Sequence, residues 1–367
     1  MAHFIEHMIF KGTKKRKAYH VLSRIENIGG DLNAFTTKEE TCVYASFLSP
    51  YYEQSLELFA DVAFNSTFPQ KEMNKEKDVI IDEINSYNDS PAELIFDDFE
   101  EMIYQGHSIG LNILGDADTI QNFKRRDVFR FINRNYSTNQ IVISSVGNIK
   151  FSRLIVLIDK YFGQIKTSLN GTHRLPFNTY HPKFNSINKD SYLTHAIIGN
   201  LAYPRSHDKN YALALVTNLL GGPALNSRLN LSIREKHGYA YNIESTYQPY
   251  SDTGVFLIYV GSDRNHIKKS LNLIQKELKK LRELRLGTIQ LQRSKKQLIG
   301  QLAISFESRI NEMLGNAKSH LHDDEVKTFE QIVEDINKIS ASEVLTVSNE
   351  IFDKEKLSTL IYNAREE

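Results

Sequence analysis

Residues 3–7 read His3-Phe4-Ile5-Glu6-His7, within a run from roughly Ala2 to Phe10 that reads as a helix closed by Gly12. At 3.6 residues per turn, positions i and i+4 lie about 40° apart around the axis, so both imidazoles leave one face. Glu6 falls in the same arc, about 60° from His3. Two imidazoles with a carboxylate beside them suit zinc, which in a reactive site takes a third protein ligand and keeps a position open for water. The order is the reverse of His-Glu-x-x-His. Histidine pairs at this spacing also arise by chance on surface helices, so the pentapeptide needs a partner elsewhere.

The best source of that partner is Glu76-Lys77-Asp78-Val79-Ile80-Ile81-Asp82-Glu83, on a helix expected over about Lys71–Tyr87. Glu76 and Glu83 are two turns apart and share a face, with Val79 and Ile80 between them. Acids on a partly apolar stripe are costly to bury unless they meet a cation; the bland alternative is a solvated acidic edge. Between the two helices, one expected over about Tyr19–Ile28 stops at Gly29-Gly30. Asp31–Thr36 and Thr41–Leu48 then alternate around Lys38-Glu39-Glu40 and read as a β-hairpin. Further helices are expected at about Tyr51–Phe64 and Ala92–Tyr104, with a compact buried strand at Gln140–Val146.

The chain has 367 residues, more than one core usually serves. Its 41% apolar and 25% charged content is that of a globular protein, and 45 basic residues balance 45 acidic ones. That neutrality gives no sign of nucleic acid as a partner, and no apolar run is long enough to span a membrane. The single cysteine, Cys42, excludes an internal disulfide framework and a Cys-rich metal cluster; it sits in a strand-like apolar run and reads as a buried structural thiol. A stretch rich in Asn, Thr, His and Pro divides the chain into 1–166, a linker at 167–184 and 185–367.

The second part repeats the style of the first. A strand at Tyr192–Leu201, a helix at Lys209–Leu220 and a break at Leu220-Gly221-Gly222-Pro223 precede a helix at about Ser227–Lys236. Strands at Ala240–Gln248 and Gly254–Val260 and long charged helices from Ile267 to about Leu314 follow. The expected class is α+β, with two similar domains, each a mostly antiparallel β-sheet packed with α-helices.

Several of these segments, in this order, resemble the pitrilysin-type peptidases, which include insulysin and the processing peptidases. The resemblance covers nearly the whole chain. "AHFIEHMIFKGT" looks like that family's zinc helix, and "GGDLNAFTTKEETCVYASFLSP" like the hairpin that follows. "EKDVIIDEINSYNDSP" is similar to the helix of the last ligand, and Glu83 stands 76 positions beyond His7, the family spacing. "GHSIGLNILGDADTI" and "LGGPALNSRLNLSIREKHGYAYNI" match later segments. The resemblance implies that His3, His7 and Glu83 hold one Zn2+, that Glu6 is the catalytic base and that Glu76 supports the metal helix. It further implies that Asn33, Ala34 and Phe35 form an edge strand for an extended peptide, a β-augmentation mode. Arg234 and Tyr241 match the pair that reaches substrate from the opposite half of the enzyme.

The expected activity is therefore zinc-dependent hydrolysis of peptides or unfolded segments in a chamber of two halves. Glu6 would take a proton from water and pass it to the departing amine, and Tyr241 would donate to the oxyanion. The resemblance also implies a second chain, giving a homodimer or a pair with a related partner. A non-catalytic partner or structural subunit of the same fold, or a fragment inactive for want of its first strands, is the alternative function. Only Met1 and Ala2 precede His3, where the family has several dozen residues, so the first strands of the N-terminal sheet are expected to be missing. The expected setting is bacterial and cytoplasmic, any export signal belonging to that missing stretch.

Overall fold

The computed structural model describes residues 1–169, 174–177 and 179–365; residues 170–173 and 178 of the expected linker lie outside the described residues. In chain order the elements begin with α1 (Ala2–Ile9), α2 (Ala18–Glu26), β1 (Asp31–Thr36), β2 (Thr41–Ser46), α3 (Tyr52–Asn65) and α4 (Gln70–Asn88). There follow α5 (Pro91–Ile103), α6 (Ala117–Asn122), α7 (Arg125–Asn135), α8 (Phe151–Phe162), β3 (Phe184–Asn188), β4 (Thr194–Ala202) and α9 (Asn210–Gly221). A π-helix at Asn230–Glu235 leads to β5 (Ala240–Pro249), β6 (Gly254–Ser262), α10 (Ile267–Glu283) and α11 (Thr288–Phe306). The last elements are α12 (Arg309–Asp323), α13 (Phe329–Lys338), α14 (Ala341–Ile351) and β7 (Ser358–Asn363). Two compact units result. Met1–Ser86, Asn112–Arg174 and Arg309–Leu321 make the first; Tyr87–Leu111, Leu175–Ser308 and His322–Glu367 make the second.

In the first unit α1 is packed from two sides. Phe4, Ile5 and Met8 are at most 2% exposed and join Met73, Ile80 and Ile84 of α4, with Phe68, Ile120 and Val128. Ile9 faces the other way, into Val21 and Ile25 of α2, Ala45 of β2, and Leu58 and Val62 of α3. Each such apolar side chain taken from water contributes about 1.5–3 kcal/mol, enough for tertiary packing to hold a helix of eight residues that would not persist alone. The stripe Met73, Ile80, Ile84 is what sets α4 beside α1.

The stop after α2 follows from its two glycines. Gly29 has φ +74°, and a Cβ at Gly30 would meet Ile25 Cγ2 at 2.6 Å and the Ser46 carbonyl at 2.7 Å; a side chain at either is strained. β1 and β2 pair antiparallel from Asp31↔Ser46 to Thr36↔Thr41, and the Thr37 N–H donates to the Glu40 carbonyl at 2.8 Å to close the hairpin. A polar cluster pins the loop after α1 to α3. Arg16 reaches Asp61 at 2.6 Å and Glu57 at 2.6 and 2.7 Å, and Thr13 Oγ1 donates to Asp61 at 2.7 Å. α12 is tied into this unit by Ser144 Oγ, which donates to the Met313 carbonyl at 2.9 Å, and by Lys318, 2.9 Å from Glu40.

The expected strand at Gln140–Val146 is corrected here. Residues 141–146 have no ladder partner, and Ile141 and Ile143 are 42% and 37% exposed. A compact β-branched run such as Ile141-Val142-Ile143 favours extended backbone, but a strand forms only when a neighbour takes its N–H and C=O groups. Among the described residues of this unit, the sheet is β1 and β2 alone.

The second unit is a five-stranded sheet of order β3-β7-β4-β6-β5, with β3 and β7 parallel and the other pairs antiparallel. Residues of β6 alternate between two cores. Phe256, Ile258 and Val260 join α9, α10 and α14, whereas Val255, Leu257 and Tyr259 meet Leu94, Ile95 and Phe99 of α5. Both faces are covered, so β6 is apolar along its length instead of alternating with polar residues. The helix expected over Ser227–Lys236 is π-helical from Asn230, and the buried Asn230 amide bonds back to the Leu225 carbonyl, a side-chain intrusion of the kind that widens a turn. The long charged region from Ile267 is three helices, α10, α11 and α12. Among the described residues, no helix is long and apolar enough to cross a membrane.

Candidate metal centre

α1 and α4 place three donors on one point. The donor atoms of His3, His7 and Glu83 lie within 4.8 Å of one another. Glu83 Oε2 is 3.8 Å from His3 Nε2 and 3.5 Å from His7 Nε2. Ligands about 2.0–2.1 Å from a tetrahedral zinc stand roughly 3.3–3.4 Å apart, so these separations fit a shared ion with small adjustment. The two rings meet edge to face, centroids 4.6 Å apart at 72°. Burial and the neighbouring His7 hold the His3 imidazole below its usual pKa, so it is a neutral donor at pH 7.

The other nitrogen of His7 is already engaged. His7 Nδ1 lies 3.3 Å from Glu76 Oε2, and Lys11 Nζ lies 2.5 Å from Glu76 Oε1. Glu76 is 6% exposed; with its charge balanced by Lys11, it fixes the tautomer that leaves Nε2 for a cation. Sequence reasoning missed Lys11. It stands four residues after His7, one turn further on, and nothing in its spacing marks it as the partner of a buried acid.

Glu6 leaves the same helix with Oε2 buried and without a hydrogen-bond partner, and His3 Nδ1 is buried in the same condition. A buried carboxylate oxygen with no donor is costly in a protein with no ligand. It is the expected state of a group that meets water or substrate when the site is filled. The residues therefore fit a divalent cation with an acceptor beside it.

Asn33, Ala34 and Phe35 lie on β1, which pairs only with β2 among the described residues, leaving one edge of the strand without a neighbour. Asn33 Oδ1 accepts from the Ala34 N–H at 2.9 Å. Arg234 and Tyr241 belong to the second unit. Arg234 sits on the π-helix, and Tyr241, 80% exposed, sits where β5 slips register against β6. Neither makes a side-chain hydrogen bond or ion pair among the described residues. Cys42 is half-buried, its thiol pushed up to about 11 by burial and by Glu40, and so protonated at neutral pH.

Comparison with known proteins gives the class. Residues 1–117 match the family described as Insulinase (Peptidase family M16), and residues 122–298 match Peptidase M16 inactive domain. An uncharacterized zinc protease of Bacillus subtilis is 32% identical over 361 residues, covering 98% of this chain and 88% of its own. One from Rickettsia felis is 31% identical over 362 residues, covering 98% and 87%. Among solved structures, a peptidase M16 inactive domain from Pseudomonas fluorescens superposes with a TM-score of 0.90 at 19% identity, over 99% of this chain and 88% of that one. A protease from Helicobacter pylori gives 0.88 at 22% identity, over 99% and 88%. The fold is the two-domain α+β arrangement of these peptidases. The chain belongs to the insulinase, or pitrilysin-type, peptidase family.

Proposed function

We propose that this protein is a zinc-dependent endopeptidase acting on peptides or unfolded segments, with the ion held by His3, His7 and Glu83. The convergence of Glu83 Oε2 with the Nε2 atoms of His3 and His7 carries this reading. The relatives of similar length that are named zinc proteases support it. When bound, the metal supplies Lewis acidity, which polarises an amide carbonyl and makes water easier to deprotonate.

The chain's own residues do the rest. Glu6 cannot join the ligand set while His3 and His7 fill it from the same helix, so its free oxygen accepts a proton from the attacking water. It then returns that proton to the departing amine. Glu76 and Lys11 keep His7 in the donor tautomer. The open edge of β1 at Asn33, Ala34 and Phe35 receives the substrate as an added strand, with main-chain bonds for affinity. Arg234 binds substrate and Tyr241 donates to the oxyanion. The first domain is the zinc-binding half and the second the substrate-orienting half. A second copy of the chain, or a related one, supplies the Arg234 and Tyr241 that act at each zinc.

The deciding experiment is Glu6→Gln. The variant keeps zinc at one per chain and loses about 10²–10⁴-fold in peptide turnover. A zinc-loaded E6Q protein with wild-type turnover ends the assignment of Glu6.

A further inference from the structure

The segment between the π-helix and β5 is held far more tightly than its exposed residues require. The Lys236 N–H donates to the Leu231 carbonyl at 3.1 Å, the Gly238 N–H to the Arg234 carbonyl at 2.8 Å and the Tyr239 N–H to the Ile233 carbonyl at 3.1 Å. Ser262 Oγ donates to the Tyr239 carbonyl at 2.5 Å. Gly238 turns the chain at φ +64°, where other residues are strained. Two irregularities flank this point. The π-helix carries Arg234, and the register shift between Ala240 and Asn242 leaves Tyr241 as the extra residue of a β-bulge. Both are devices that re-aim a side chain at some cost to regular bonding.

Between them the Tyr239 ring stacks with two imidazoles. His237 stacks on one ring contact, centroids 5.0 Å apart at 15°, and His266 on another, 4.7 Å apart at 13°. Lys269 Nζ lies 5.3 Å from the Tyr239 centroid. His266 is itself fixed at the start of α10, its N–H donating to the Asp263 carbonyl at 2.9 Å and its Nδ1 3.9 Å from Asp263 Oδ1. The stack therefore fastens a short exposed loop to a long helix packed into the core. Near-parallel aromatic rings at these separations attract, and a cation over a ring adds to the attraction.

We propose that the His237–Tyr239–His266 stack, with Lys269, is a positioning clamp that fixes the directions of Arg234 and Tyr241 toward substrate. The proposal rests on the peptidase reading above. Tyr239 does not touch substrate; it acts through its neighbours two residues on and five residues back. Its ring, not its hydroxyl, is the working part. Held side chains that need no reorganisation on substrate binding lower the barrier, and loss of that order is felt in turnover.

The test compares Tyr239→Leu, Tyr239→Phe and His266→Ala in the full-length zinc-loaded protein. Tyr239→Leu and His266→Ala should raise amide hydrogen exchange over residues 236–242, lower kcat about 10-fold or more as Tyr241 loosens and raise KM as Arg234 loosens, with zinc unchanged. Tyr239→Phe, which keeps the stacked ring, should restore exchange, kcat and KM. His266→Ala removes a plate outside β5 and serves if Tyr239→Leu fails to fold. Unchanged exchange in the variants overturns the clamp, as does raised exchange with wild-type kcat. A wild-type protein that binds zinc and cleaves nothing would sink the peptidase reading instead. The exchange comparison, with equal protection overturning the clamp, then decides the stack on its own.

Discussion

Glu76 meets His7 at Nδ1, the nitrogen turned away from Glu83, and Lys11 pairs with Glu76. Groups in such a relay change metal affinity without being ligands. Glu76→Ala is expected to weaken zinc binding about 10–100-fold, read by competition with a zinc-responsive dye. An unchanged affinity would mean that His7 is oriented by helix packing alone. The histidines and Glu6 were legible because a helical period of 3.6 turns spacing directly into direction. Glu83 was legible by its register with Glu76 and by family spacing. Lys11 was not, since the contact it makes depends on where α4 lies. The stack around Tyr239 was equally hidden, because His266 is distant from Tyr239 in sequence and reaches it only across the fold.

At the scale of elements, the loop after α1 depends on charge more than on apolar packing. Asp61 is 2% exposed and meets both Arg16 and Thr13. Removing one member of a buried pair leaves the other charge without compensation, at a cost of about 3–5 kcal/mol. Arg16→Met should lower the free energy of unfolding by that amount in a denaturant titration. A change under about 1 kcal/mol would show that Thr13 and solvent suffice for Asp61. Helices α1 to α5 and the first hairpin were readable from period and glycine stops. The short β3 and β7 and the helices α6 to α8, α13 and α14 were not identified from the sequence. β7 lies inside the sheet, yet its six residues carry too few repeats to separate strand from loop. The segment 141–146 failed in the opposite sense: its pattern is strand-like, and no strand lies beside it.

For the whole molecule, the proposed division of labour between chains makes activity concentration-dependent. If Arg234 and Tyr241 act on a peptide bound to another copy, specific activity should fall as dilution yields monomers, tracked in parallel by sedimentation. Mixing a Glu6→Gln protein with a Tyr241→Phe protein should then restore turnover, to at most about one quarter of wild type, since random pairing makes half the dimers mixed and each mixed dimer carries one intact site of two. Full activity in a dilute monomer overturns the shared site. The α+β class was readable over the whole length. The assignment of segments to units was not, because α5 and α12 each lie far in sequence from most of the unit they complete.

That interleaving has a consequence for synthesis. His3, His7 and Glu83 have all been translated once residue 83 is made, but the unit that holds them includes Arg309–Leu321. At about 5–20 residues per second, the ribosome needs roughly 12–48 s to cover the intervening stretch. Through that interval the cores that bury α1 and α4, which draw on residues no later than Tyr136, can already be packed, while the contacts of Ser144 and Glu40 to α12 are still unmade. The last contacts of the unit that carries His3, His7 and Glu83 wait for a helix more than 220 residues further along the chain.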